Sequence, residues 1–154
     1  MAASLLLLLI ASLFIGQRNY SQEQLIARHY EPISTYNRSA TGNLKKLTLD
    51  KNDPTYLYHL YQLSELLYQN QQFEELKDVY TTLLSNQENT TYNRQDINFE
   101  LIEWNHLLIE MRQGSGNTAE KLTALLQSDI SKKYKERAAQ LQQQRSHFLY
   151  KLFN

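Results

Sequence analysis

Two neighbouring stretches of the chain repeat apolar side chains every three or four residues, with only a short polar break between them. The first places Leu60 and Leu67 on one side, and the second does the same with Leu76 and Tyr80. This interval matches one face of an α-helix, which has about 3.6 residues per turn. Helices joined by so short a break must fold back on each other, so the sequence predicts a helical hairpin here.

The composition extends this prediction to the whole chain, since there are only 4 Gly and 2 Pro among 154 residues. Turns are therefore few, and an all-α fold is expected. Asp53 followed by Pro54 is the clearest helix start, and Asp96 is expected to cap a later helix. The predicted helices cover residues 22–30, 56–70, 73–85, 97–113, 117–127 and 131–153, the last of them as a C-terminal capping helix.

These patterns divide the chain into three segments. Residues 1–20 form a membrane anchor or signal segment. Residues 21–52 hold a short helix, begun by the capping-box pair Ser21 and Gln24, and a polar connection. Residues 53–154 form the helical domain.

The N-terminal segment contains 15 consecutive residues without charge, from Ala2 to Gly16. A helix that spans a bilayer needs roughly 20 apolar residues, and Arg18 and Tyr20 follow the run where interfacial residues are favoured. We expect residues 2–16 to form a single-pass transmembrane helix, with the following domain in the periplasm. Two alternatives remain open. One is a secretory signal, which would give a secreted protein, although the run lacks a preceding basic residue and a small-residue cleavage pair; the other is a buried core helix.

Charge and residue chemistry exclude several classes of function. Residues 52–111 carry 10 acidic and 2 basic side chains, so no nucleic-acid partner is expected. Cysteine is absent, which removes thiolate nucleophiles and thiolate metal ligands. Glu103 and His106 form one Glu-x-x-His step, but a di-iron bundle needs two. We therefore predict no catalytic residue, metal site, cofactor or small-molecule substrate, and hence no enzyme.

The apolar positions of the two predicted hairpins follow a recognisable repeat. Leu60, Leu63, Ser64 and Leu67 are followed at longer range by Leu76 and Tyr80, and Trp104, Leu107, Leu108 and Met111 repeat the first four offsets. This spacing resembles the tetratricopeptide repeat, in which helical hairpins stack side by side. Leu76 and Leu108 stand where that pattern has small residues. The resemblance implies a fold of tetratricopeptide-like hairpins.

The N-terminal quarter carries a second resemblance. An apolar segment is followed by Tyr20–Leu25 and then by His29, Tyr30, Glu31 and Pro32. This order is similar to membrane-anchored tetratricopeptide proteins of the Bacteroidetes, which have a comparable aromatic-Glu-Pro stretch. The resemblance implies a protein-interaction module outside the cytoplasm.

The first predicted hairpin also supplies a candidate binding surface. Tyr58, Tyr61 and Glu65 are expected to line a groove that holds a peptide or a partner helix, while core packing is the alternative for the tyrosines. The function predicted from the sequence is a non-enzymatic, membrane-tethered protein-protein interaction or scaffolding module with unknown protein partners. The alternative is a structural accessory subunit of a larger membrane protein complex.

Overall fold

Helices account for all the regular secondary structure in the part of the chain that the structure describes. The computed structural model describes residues 10–12, 14, 21–33, 50–114, 117–147 and 151. Six helices have defined bounds among these residues, and the all-α prediction is confirmed. They are α1 (Gln22–His29), α2 (Tyr56–Gln69), α3 (Phe73–Ser85), α4 (Phe99–Arg112), α5 (Thr118–Gln127) and α6 (Lys132–Ser146).

Helix α1 begins at the predicted cap. The Ser21 hydroxyl oxygen accepts a hydrogen bond from the backbone N–H of Gln24 at 3.4 Å. This bond satisfies one of the N–H groups that the first helical turn leaves without a partner. The helix ends at His29, and Tyr30 is already extended, with φ −61° and ψ 132°.

The predicted caps of α2 and α4 are wrong in detail. Helix α2 begins at Tyr56, but its N-cap residue is Thr55, and no side chain bonds to the first turn. Asp53 instead closes a turn before the helix, since its carboxylate accepts hydrogen bonds from the Thr55 N–H at 2.7 Å and hydroxyl at 2.6 Å. The cap of α4 is Asn98, whose side-chain oxygen accepts the N–H of Leu101 at 3.0 Å; it is not Asp96. Asparagine competes with aspartate as an N-cap, and Asn98 stands nearer the first turn.

One compact unit comprises Glu31–Ile109. Within it α2 packs against α3, as the hairpin prediction requires. The chain reverses between them through Gln71, which has a left-handed φ of 58°. The most deeply buried side chains of the pair are Leu57, Ser64, Leu76, Tyr80 and Leu83.

The other compact unit comprises Met1–Tyr30 and Glu110–Asn154. Helix α5 packs against α6, and α1 also contacts α6. A ring nitrogen of His29 lies 2.9 Å from the side-chain oxygen of Gln144, which joins α1 to α6. Glu23 on α1 pairs with Arg112 at 2.8 Å, so α1 is held at both ends.

The last helix is shorter than the sequence predicts. Helix α6 ends at Ser146, because His147 is extended with φ −65° and ψ 140°. The predicted continuous helix to Phe153 is therefore wrong at its C-terminal end. Residues 148–150 and 152–154 lie outside the described residues.

The predicted membrane segment lies mostly outside the described residues, as does the predicted connection over residues 34–49. Among the residues that are described, no helix has both the length and the apolar character needed to cross a membrane. Residues 10–12 and 14 of the segment are described, and the two large apolar side chains among them, Ile10 and Phe14, are 53% and 68% exposed.

Candidate functional site

A short segment without regular secondary structure, Glu31–Ile33, is held by side chains from both α2 and α4. We call this segment the strap. Its conformation follows from Pro32, which has no backbone N–H and cannot extend α1. Proline also disfavours helical backbone in the residue before it, so Glu31 is driven to an extended conformation. The backbone N–H and C=O groups of the strap are therefore not used in helix hydrogen bonds, and side chains of the two helices can bond them.

Asn105 on α4 holds the first residue of the strap through both atoms of its side-chain amide. The Asn105 oxygen accepts the backbone N–H of Glu31 at 3.2 Å, and its NH₂ group donates to the carbonyl oxygen of Glu31 at 2.8 Å. Asn105 is only 1% exposed. Burial removes competing water from these bonds, and a buried amide without such partners would be costly. The Asn105 amide thus bonds backbone atoms of Glu31 in both of these hydrogen bonds.

Glu65 on α2 holds the other end of the strap. Its carboxylate accepts the backbone N–H of Ile33 at 3.2 Å, and its second oxygen accepts the side-chain NH₂ of Gln69, also at 3.2 Å. Glu65 is 4% exposed and Ile33 is 3% exposed. Full burial of an isoleucine side chain contributes about 1.5–3 kcal/mol, so burial of Ile33 stabilises the strap in addition to its backbone hydrogen bonds. We call Asn105 and Glu65 together the clamp.

The three residues of the predicted groove all lie on α2. Glu65 belongs to the clamp, whereas Tyr61 is 4% exposed and Tyr58 is half-buried. Burial raises the pKa of the Tyr61 hydroxyl, a backbone hydrogen bond with Asn98 lowers it, and the nearby Glu31 carboxylate raises it further. The structure thus brings Tyr61 and Glu65 together with the strap. Their role in binding a separate partner stays a prediction.

Sequence reasoning missed Asn105. One signal was available, because Asn105 interrupts the otherwise apolar surface that Leu101, Trp104 and Leu108 form on α4. A polar side chain among buried apolar neighbours needs a hydrogen-bonding partner. The sequence does not identify that partner, which lies 74 positions earlier in the chain.

Two further polar side chains on α2 and α4 contact atoms of this chain. Ser64, which is completely buried, donates to the carbonyl oxygen of Tyr61 at 2.7 Å. His106 on α4 packs edge-on against Tyr80, with ring centroids 6.3 Å apart. Within the described residues, no group of three or more histidine and carboxylate side chains is arranged to hold a metal ion. These side chains therefore support packing of the helices.

Burial and the neighbouring Glu100 raise the pKa of Glu103 on the same helix. Glu110, at the end of α4, is 7% exposed and forms an ion pair with Lys121 on α5 at 2.5 Å. The Glu-x-x-His residues are therefore used in different ways. Glu103 lies on the helix surface, whereas His106 and the nearby Glu110 contact side chains of other helices.

Two open clefts lie elsewhere on the described surface. A cleft of about 500 Å³ follows α3 and is lined by Tyr92, Arg94 and Phe99 among others. A second, of about 380 Å³, lies between α5 and α6 and is lined by Leu122, Arg145 and neighbouring side chains. Neither cleft is lined by Asn105 or Glu65, whose buried polar atoms hold a backbone segment, so the clamp is the candidate site.

Comparison of the chain with protein-family models, with curated proteins and with solved structures gives no match in any of the three.

Proposed function

We propose that this protein is a membrane-tethered, non-enzymatic interaction module whose clamp holds extended peptide segments. The observation that carries the proposal is the double hydrogen bond between the Asn105 amide and the backbone of Glu31. Main-chain hydrogen bonds supply affinity for extended peptides, and adjoining pockets supply specificity. The clamp has both features, since Glu65 bonds the strap backbone and the Ile33 side chain is buried.

Burial of the repeat positions supports a tetratricopeptide-like arrangement as part of this proposal. Ser64 and Tyr80 in the first hairpin are 0% exposed, and so is Trp104 in α4. These are positions at which the repeat pattern places its packing residues. In such repeats, hairpins stack to leave an elongated surface for a partner.

Non-enzymatic function is supported by how the polar side chains near the clamp are used. Asn105, Glu65 and Ser64 all bond the backbone of this chain, and such bonds fix positions of helices and strap. Catalytic acids and bases instead need a side chain that reaches a substrate atom.

Tethering is supported by the apolar run of residues 2–16 and by the exposure of Ile10 and Phe14 within it. Large apolar side chains on a surface mark contacts with a membrane or a partner. We place the helical part outside the cytoplasm. Flotation of the full chain with phospholipid vesicles tests the tether: the chain should float, and Leu7→Asp with Leu8→Asp should abolish flotation. A mature N-terminus that begins after Gly16 by mass spectrometry would instead establish a removed signal.

Panning of random peptides displayed on phage over the detergent-solubilised full chain tests the interaction module. We expect enrichment of peptides that is lost in Asn105→Ala and kept in Gln140→Ala, a substitution at an exposed position of α6. Circular dichroism verifies that both variants remain helical. Equal enrichment on the Asn105→Ala variant, or none on the parent chain, would contradict the proposal. Purification of the chain only in fixed ratio with a large assembly would favour the accessory-subunit alternative.

A further inference from the structure

The strap itself indicates which peptide the clamp accepts. We propose that the clamp binds, in trans, an extended peptide with proline in the middle and a β-branched apolar residue after it, and that the strap competes with this ligand from within the chain. The inference rests on the function proposed above and specifies the partner's chemistry.

The first position of the ligand must be a residue other than proline. Asn105 bonds both the N–H and the C=O of Glu31, and a proline there would lack the N–H. The bonds involve backbone atoms, so the side chain at this position is otherwise unrestricted by Asn105.

The second position suits proline. Pro32 is exposed, and neither Asn105 nor Glu65 needs an N–H from it, since their bonds go to Glu31 and Ile33. Proline restricts the residue before it to extended conformations, so a peptide with proline here loses less conformational freedom when it binds.

The third position is selective for an apolar side chain. Ile33 is 3% exposed, while its N–H bonds the Glu65 carboxylate at 3.2 Å. An acidic side chain in this place would be desolvated and repelled by the buried carboxylate of Glu65. A β-branched residue also favours the extended backbone that the two clamp residues require.

The strap occupies the clamp as part of the same chain, and a separate peptide must displace it. The apparent affinity for a peptide is therefore reduced by the fraction of molecules in which the strap is released. Substitutions that weaken the strap without altering Asn105 or Glu65 should increase peptide binding. A strap that only completes the hydrophobic core would give no such increase in peptide binding, so this measurement distinguishes the two roles.

The test measures binding of a fluorescent peptide that copies residues 29–36 to the full chain in detergent, by fluorescence anisotropy. Ile33→Asp in the protein should strengthen binding at least about tenfold, because it raises the released fraction. Pro32→Gly replaces an exposed residue, so it keeps the fold, and its added flexibility should strengthen binding about twofold to fivefold. Adding Asn105→Ala to either variant should abolish binding, and so should Asp in place of the peptide's isoleucine.

The outcomes distinguish this inference from the proposed function. If the folded Pro32→Gly and Ile33→Asp variants bind the peptide no better than the parent chain, the competing strap is overturned. If a scrambled peptide binds equally well and still requires Asn105, the proposed sequence class is overturned while the interaction module stands. If no peptide, including those from the displayed library, shows dependence on Asn105, both proposals fail.

Discussion

Asn105 and Glu31 are joined by two hydrogen bonds that run in opposite directions, one from the Glu31 N–H at 3.2 Å and one to its carbonyl oxygen at 2.8 Å. The pair connects the middle of α4 to the residue before Pro32. Since Asn105 is 1% exposed, both bonds are shielded from water on the asparagine side. The relationship makes the strap part of the helical unit that comprises Glu31–Ile109.

Replacement of Asn105 by alanine should lower the free energy of unfolding by about 1–3 kcal/mol, because two backbone groups of Glu31 lose their partners. Urea denaturation followed by the fluorescence of Trp104, the single tryptophan of the chain, measures the change. Hydrogen exchange of the Glu31 amide should accelerate at the same time. Gln140→Ala is the control and should change stability by less than about 0.5 kcal/mol. An unchanged exchange rate at Glu31 would mean that the hydrogen bond does not persist in solution.

Lys121 should be needed to keep the Glu110 carboxylate inside the protein. The Glu110 side chain is 9% exposed and that of Lys121 is 44% exposed, with their charged atoms 2.5 Å apart. Lys121→Met leaves a buried carboxylate without its cation and should lower the free energy of unfolding by about 1–3 kcal/mol. The loss is smaller than for a fully buried ion pair because Lys121 reaches solvent. Adding Glu110→Gln should restore part of the loss in a double-mutant cycle. Additive losses would show that the two residues do not interact.

In the turn between α2 and α3, Gln71 adopts a left-handed backbone conformation that is strained for a residue with a side chain. Gln71 has φ 58°, in the left-handed region. Gln71→Gly should raise the free energy of unfolding by about 0.5–1 kcal/mol. Glycine removes the left-handed strain, but it also makes the unfolded chain more flexible, which offsets part of the gain.

Gly114 provides the matched control for that turn. It has φ +71°, and a Cβ atom added there would meet nothing within 4 Å. Gly114→Ala should therefore destabilise by about 1 kcal/mol through backbone strain alone. If chemical denaturation shows the same sign of change for both substitutions, left-handed strain does not determine stability at these positions.

Glu103 should make the protein less stable as its carboxyl group ionises. Burial, and then the charge of Glu100, raises the pKa of Glu103 above its ordinary value of 4.5. The native state thus binds this proton more tightly than the unfolded state, so its contribution to stability falls as pH rises from about 4.5 through the native pKa. Glu103→Gln should raise the urea midpoint relative to the parent chain at pH 7, and this gain should disappear near pH 4. A gain of equal size at both pH values would point to packing as its cause.

The positions of the helices follow largely from the sequence. The bounds of α3 agree with the predicted residues 73–85, and those of α2 and α5 differ from prediction by at most one residue at an end. Apolar spacing and capping residues act within one or two helical turns, so a local pattern is sufficient to place them. The ends were less predictable, since Asn98 and not Asp96 caps α4 and His147 stops α6. Several neighbouring residues can satisfy the same terminal N–H or C=O groups.

The sequence also predicted that Tyr61 and Glu65 line a groove, and it placed Glu31 and Pro32 in a stretch that resembles a known family. Only the tertiary structure brought these features together. The strap bonds Asn105 across 74 positions and Glu65 across 32, and no periodicity links residues so far apart. Hydrogen bonds of an extended segment depend on where its backbone passes in space, whereas helix formation depends on neighbours along the chain. The chain's own residues therefore determined its helices, and their packing decided that a segment of the same chain occupies the clamp.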